Sequence, residues 1–138
     1  HDAKLGMPET TLGVVPAQIA PFVVQRIGLT EARRLALLGT RVSGAEAKRL
    51  GVVHEVVESS EELEAKLEET LAGVRRCAPG ANAVTKSLML SVSTRSMPEL
   101  LDDAATAFSE AVRGPEGLEG TMAFIEKRKP AWFTEGGQ

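Results

Sequence analysis

Glu9 is the residue whose type and position in this chain most readily suggest chemistry. It lies between Pro8 and Thr10, and no other charged residue follows it before Arg26. A carboxyl group without a neighbouring cation can act as a general acid or base. It can equally be a solvated loop carboxylate or an acid near the start of a helix. Residue type and position alone therefore do not assign a reaction.

The histidines and the cysteine do not suggest a metal or redox site. His54 lies among valines and His1 is the only other histidine, so a packed or surface role is predicted for His54. Cys77 has no nearby histidine and is predicted to be a buried, small apolar residue. Glycine-rich loops with dinucleotide or P-loop spacing are absent from the sequence. We expect no metal ion and no redox cofactor.

The composition is that of a soluble globular protein of 138 residues, 43% of them hydrophobic. Sixteen Lys and Arg against 19 Asp and Glu give a net charge of -3, so neither nucleic acid nor a membrane is an expected partner. A single cysteine and the lack of a secretion-signal pattern favour the cytoplasm. Because the first residue is His1 and not Met, we expect the sequence to start inside a larger protein, through cleavage, a split gene or a cloning boundary.

Glycine, proline and capping residues divide the first part of the chain into short elements. The composition of Gly6–Pro16 predicts an ordered loop or short strand, and the valines of Val52–Val57 predict a β-strand. Three helices are predicted between them: 17–27 ending at Gly28, 32–38 with Thr30 as N-cap and Gly39 at its end, and 45–50 with Ser43 as N-cap and Gly51 at its end.

The second part of the chain is predicted to be helical. Apolar residues recur at helical spacing from Ser60 to Val74, and prolines at likely first-turn positions open later segments. Three further helices are predicted, over 83–92, 98–112 and 115–129. Amphipathic helices must cover something, and the strand signals are too few for a sheet of ordinary size. We therefore expect part of the fold to be encoded elsewhere.

Several ordered segments together resemble the second half of the crotonase (enoyl-CoA hydratase/isomerase) family. No single segment is diagnostic, whereas their order and approximate spacing are. The segments are Gly6–Pro16, Arg26–Gly28, Ala32–Ala47, Gly51–Val57, Ala78–Pro79, Thr85–Lys86, Glu119–Gly120, Phe124 and Glu126–Lys129.

The resemblance implies an α/β fold: the C-terminal part of the ClpP/crotonase-like ββα spiral, mostly helical in this chain. Residues 1–138 are expected to form a single unit, in which 1–57 end the spiral core and carry the site loop. Residues 58–138 are expected to form a helical region for trimerisation and for a lid over the site. In the family, the N-terminal part supplies most of the spiral, both oxyanion N–H donors and a first catalytic glutamate. This chain should therefore need that complement, within a homotrimer or a dimer of trimers.

The resemblance also assigns roles to individual residues. It implies that Glu9 is the second catalytic glutamate and that the amide of Ala17 holds the nucleophilic water, although that amide can equally be the solvated N–H of a first helical turn. Met7, Pro8 and Leu12 are expected to line the acyl pocket, with core filling as an equal alternative.

Phe124 and Lys127 lie three residues apart in the predicted last helix and thus on one face of it. The resemblance implies that they contact coenzyme A, an aromatic against the adenine or pantetheine and a cation against phosphate. The alternative is an ordinary helix end: cations there suit the helix dipole, and Phe124 with Trp132 and Phe133 can be core or interface.

The expected reaction is the hydration of a 2,3-unsaturated acyl-CoA thioester. Pro16–Val24 departs from the common family pattern and resembles the branch that hydrates methylglutaconyl-CoA and isohexenylglutaconyl-CoA, in leucine or acyclic terpene catabolism. Isomerisation or another enolate-forming step is an alternative, because one glutamate does not specify which proton moves. A non-catalytic helical oligomerisation module is the other alternative.

Overall fold

The computed structural model describes residues 1–133 as a mostly helical chain with one small sheet. Its elements are β1 (Lys4–Gly6), a 3₁₀ turn (Glu9–Leu12), α1 (Ala20–Leu38), β2 (Arg41–Ser43), α2 (Gly44–Arg49), α3 (Ser60–Arg75), α4 (Pro79–Ser91), α5 (Met97–Arg113) and α6 (Pro115–Ile125).

The chain divides into two compact units, His1–Ala65 (unit 1) and Lys66–Gln138 (unit 2). The division falls inside α3, after Ala65, whereas the sequence suggested a division after Val57 within a single unit.

Unit 1 is built around a two-stranded antiparallel sheet. Leu5 of β1 pairs with Val42 of β2. Val42 then packs with Leu35 of α1 and Ala47 of α2 in a small buried cluster. The Oγ of Ser43 accepts from the N–H of Glu46 at 3.3 Å, which confirms Ser43 as the N-cap of α2.

Gly28 interrupts α1 and separates it into two helical stretches. Its φ of 77° and ψ of 161° lie outside helical values, in a region that glycine adopts without a steric penalty. The predicted end at Gly28 and the predicted end at Gly39 are both confirmed. Thr30, however, lies inside the helix and not at an N-cap position, because helical structure resumes directly after Gly28.

The strand predicted over Val52–Val57 is wrong. The N–H groups of Val52 and Val53 both donate to the carbonyl of Ala47, at 2.9 and 3.4 Å, so this segment begins as the closing turn of α2. Its first two valines pack against the buried cluster of unit 1. Burial therefore accounts for the apolar pattern, and no strand forms there.

Unit 2 contains three helices that begin with a proline in their first turn: Pro79 in α4, Pro98 in α5 and Pro115 in α6. The starts predicted at Pro98 and Pro115 are confirmed to within a residue, because the missing N–H of proline costs nothing there. α4 begins four residues before the expected Ala83.

Many large apolar side chains of unit 2 face solvent, and among its described residues only Leu100 and Ala123 are buried core hydrophobics. Cys77 is also exposed, so its predicted burial is wrong. It lies two residues after the end of α3, on the outside of the unit, and its thiol contacts the carbonyl of Gly73 at 3.5 Å. Apolar helix faces of this extent are typical of a surface that another structure covers.

Candidate active site

Glu9 is the first residue of the 3₁₀ turn, and two threonines fix that turn in place. The hydroxyl of Thr10 donates to the carbonyl of Ala36 on α1 at 2.8 Å. The hydroxyl of Thr11 donates to the carbonyl of Pro8 at 2.7 Å. The expected loop is therefore an ordered turn anchored to a helix, and Glu9 starts from a fixed backbone.

The carboxylate of Glu9 is half-buried, and its environment is unusual. Its Oε2 is shielded from solvent and has no hydrogen-bond partner among residues 1–133. A buried polar atom without a partner is unfavourable, and native proteins rarely retain one without a reason. This oxygen is therefore available to a water molecule or a substrate group.

The three residues expected to line an acyl pocket differ in environment. Met7 is buried and Pro8 is half-buried, and both directly precede Glu9. Leu12, at the other end of the turn, is 75% exposed. The contact expected between Leu12 and an acyl group stays a prediction.

Ala17 is exposed, and its amide is already engaged. The N–H of Ala17 donates to the carbonyl of Val15 at 2.8 Å, in the tight turn that precedes α1. It can hold a water only by sharing its hydrogen or by opening this turn. Its expected role stays a prediction.

Phe124 and Lys127 both lie in unit 2, Phe124 in α6 and Lys127 in the turn after it. Phe124 is 85% exposed and lines an open groove of about 770 Å³ that α4, α5 and α6 border. The expectation that α6 extends to Lys129 is wrong, because the helix ends at Ile125 and Lys127 adopts a left-handed φ of 53°. Phe124 and Lys127 therefore do not share one face of a helix.

Sequence reasoning missed an ion pair that shapes this end of the chain. The carboxylate of Glu119 receives two hydrogen bonds from the guanidinium of Arg128, at 2.6 and 2.9 Å. The Arg128 hydrogen bonds, followed by one from the Ala131 amide, lower the pKa of Glu119 from 4.5 to about 2. Both residues lie in segments of the family resemblance, Glu119–Gly120 and Glu126–Lys129, but nothing local in the sequence indicates that these segments meet.

His54 lies on the surface, which is one of the two positions predicted for it. A guanidinium nitrogen of Arg26 lies 2.9 Å from its Nε2. In the described part of the chain, no cluster of three or more His, Cys, Asp or Glu is arranged to hold a metal ion. Nor is any helix there long and apolar enough to cross a bilayer.

Comparison with known proteins assigns the chain to a family and its fold to a class. The family model for enoyl-CoA hydratase/isomerase matches residues 1–135. The chain therefore belongs to the enoyl-CoA hydratase/isomerase (crotonase) family, and its fold is a partial crotonase fold, as the resemblance implied.

Individual relatives agree with this assignment. A crystal structure of an enoyl-CoA hydratase/isomerase from Marinobacter aquaeolei superposes with a TM-score of 0.93 at 62% identity, covering 96% of this chain and 50% of that one. A Bacillus subtilis protein named "Probable enoyl-CoA hydratase" is 35% identical over 98% of this chain and 53% of its own length. The mouse mitochondrial methylglutaconyl-CoA hydratase is 27% identical over 96% of this chain and 44% of its own length. The chain thus spans about half the length of the relatives it matches.

Proposed function

We propose that this chain belongs to an enzyme that adds water across the 2,3 double bond of an enoyl-CoA thioester. It carries the part of the active site that contains Glu9. The observation that carries the proposal is the buried, unpartnered Oε2 of Glu9 on an anchored turn. Membership of the enoyl-CoA hydratase/isomerase family supports the type of substrate and reaction.

Hydration requires a base that activates water, an acid that protonates the α-carbon, and N–H donors at the thioester oxygen. Among residues 1–133, the Oε2 of Glu9 makes no hydrogen bond that must break before it binds water or transfers a proton. In our proposal Glu9 performs that transfer, while the amide of Ala17 holds the water and Met7, Pro8 and Leu12 contact the acyl group.

The proposed enzyme needs an N-terminal complement, which carries the oxyanion donors and the first glutamate. The chain's span of about half its relatives' length supports this requirement. Loss of one oxyanion donor typically raises the barrier by roughly 2.7 to 4 kcal/mol, so the chain alone should be nearly inactive. The exposed apolar faces of unit 2 support a covered state, in a homotrimer or a dimer of trimers.

Phe124 and Lys127 are the proposed coenzyme A contacts. The exposed ring of Phe124 borders an apolar groove that suits the pantetheine or adenine. The ammonium of Lys127 forms no hydrogen bond or ion pair with residues 1–133, so it is available to a phosphate. Coenzyme A would enter as part of the substrate, and we propose no other cofactor and a cytoplasmic location.

A glutaconyl-type thioester is the proposed substrate class. The segment Pro16–Val24 and the mouse methylglutaconyl-CoA hydratase among the relatives support this choice. In an isomerisation, the same carboxylate would transfer a different proton. The product distinguishes this reaction from hydration. A non-catalytic oligomerisation module is favoured only by the exposed apolar faces of α3 to α6.

The substitution Glu9→Gln tests the proposal in the protein joined to its N-terminal complement. We expect the hydration rate of crotonyl-CoA and glutaconyl-type thioesters to fall by about 100-fold or more, the usual contribution of a general acid or base. Glu64→Gln is the matched control, because it makes the same change on the exposed surface of α3. Hydration that survives Glu9→Gln removes Glu9 from this role, and an inactive complemented wild type would favour the module.

A further inference from the structure

After α6 ends, the chain turns back and packs against that helix. We call residues Glu126–Trp132 the C-terminal hook. At its start, the N–H of Arg128 donates to the carbonyl of Ala123 at 3.0 Å and that of Lys127 to Phe124 at 3.2 Å. This pair of bonds is the Schellman pattern, in which the left-handed position is usually glycine.

Lys127 occupies that left-handed position, with a φ of 53°. A side chain other than glycine is disfavoured there, so neighbouring contacts must hold the turn. Residues held in such conformations often lie at functional sites.

Glu119 supplies the contacts that hold the hook against α6. Its Oε1 and Oε2 accept from two guanidinium nitrogens of Arg128, in the bidentate geometry that is strongest for this pair. The same Oε1 accepts from the N–H of Ala131 at 2.7 Å. Arg128 is also tied to Glu126, through Nε and Oε2 at 2.6 Å. One carboxylate therefore fixes the chain directly after Lys127 and again three residues further on.

Trp132 fixes the far end of the hook. Its indole N–H donates to the carbonyl of Arg76 at 3.3 Å. A Cβ at position 120 would lie 3.0 Å from the ring, so Gly120 lets the indole approach α6 closely. Between these two anchored ends, the ammonium of Lys127 has no partner among the described residues.

We propose that Glu119 is a positioning residue, which holds the hook through Arg128 and the Ala131 amide so that Lys127 is presented to the phosphates of coenzyme A. This inference rests on the proposed function. In this inference Glu119 acts through Arg128 and Ala131, which its two carboxylate oxygens bind, and not by contacting the substrate.

The test compares Glu119→Ala, Lys127→Ala and the double variant in the complemented protein. Two substrates are used, an enoyl-CoA and the matching enoyl-pantetheine thioester, which lacks the nucleotide phosphates. We expect either single substitution to raise KM for the CoA thioester about two- to fivefold, the range of an exposed ion contact, with kcat nearly unchanged. KM for the pantetheine thioester should not change.

The double variant separates positioning from an independent effect. If Glu119 acts through Lys127, Glu119→Ala should add no further increase in KM once Lys127 is alanine. Hydrogen exchange of the Ala131 amide gives a readout that needs no substrate, and Glu119→Ala should accelerate it. Asp102→Ala is the control, since Asp102 is an exposed acid of α5 in the same unit and does not line the groove beside Phe124.

The possible failures can be told apart. If Lys127→Ala leaves KM for the CoA thioester unchanged, the proposed coenzyme A contact is wrong and this inference falls with it. If Lys127→Ala raises that KM while Glu119→Ala does not, only the positioning role is overturned. Additive effects in the double variant, or unchanged exchange at Ala131 in Glu119→Ala, also overturn it.

Discussion

The carboxylate of Glu116, on α6, closes the N-terminus of α4 at Gly80. Its Oε1 accepts from the N–H of Gly80 at 2.8 Å, and its Oε2 accepts from the N–H of Ala81 at 2.9 Å. The N-cap residue, Ala78, has no side chain that can do this. A Cβ at Gly80 would lie 2.8 Å from the same carboxylate, so a larger residue there would displace the group that caps the helix.

Glu116→Ala should destabilise unit 2, because two amides of the first turn of α4 lose their acceptor. The expected decrease in the free energy of unfolding is about 1–2 kcal/mol, as for other N-cap deletions. The measurement is urea denaturation followed by circular dichroism, with Glu110→Ala as the exposed control. Equal midpoints for the two variants would contradict a capping role for Glu116.

Gly117 and Gly73 provide a pair of glycine-to-alanine substitutions with opposite expected signs. A Cβ at Gly117 would lie 2.1 Å from the carbonyl oxygen of Ala111, which is backbone and cannot move aside. Gly117→Ala should therefore cost about 1–3 kcal/mol, as overpacking does. In α3, a Cβ at Gly73 would meet only the end of the Arg76 side chain at 3.9 Å. Gly73→Ala should stabilise the chain by about 0.5–1 kcal/mol.

Thermal unfolding of the two variants beside the wild type checks this pair. A lower Tm for Gly117→Ala and a higher Tm for Gly73→Ala are expected. If Gly117→Ala left the Tm unchanged, α5 and α6 would not approach each other as closely as the structure indicates.

Local signals in the sequence predicted several of the helix ends correctly. Ser43, Gly28 and Gly39 each act on the backbone within a few residues, so their effect can be inferred from neighbours alone. The predictions for Val52–Val57 and Cys77 were wrong for two different reasons. An apolar segment can be packed without forming a strand, and an apolar residue can also lie exposed. Whether such a residue is covered depends on distant parts of the chain.

The candidate site was predictable only in part. Glu9 was found through the family resemblance, whereas the isolation of its Oε2 depends on how side chains from several elements pack. The left-handed turn at Lys127 was missed because the cations of Glu126–Lys129 are typical of a helix end. The pairing of Glu119 with Arg128 joins residues on either side of that turn, so it follows from where the helix stops.

Acid should release the contact between Glu119 and Arg128. The pKa of Glu119 is lowered from 4.5 to about 2 by the hydrogen bonds from Arg128 and Ala131. Because the folded-state pKa lies below the unfolded one, the contact stabilises the fold fully above about pH 4.5 and is lost as the pH falls through about 2. The stability difference between wild type and Glu119→Gln should therefore be constant from neutral pH down to about pH 5 and shrink below it.

Urea midpoints of the wild type and Glu119→Gln, measured from pH 7 into the acid range, test this expectation. Glu110→Gln makes the same substitution on an exposed glutamate and controls for the general effect of removing one negative charge. A midpoint difference for Glu119→Gln that stays constant in acid, or that matches the Glu110→Gln difference at every pH, would mean that the carboxylate does not hold the C-terminal hook.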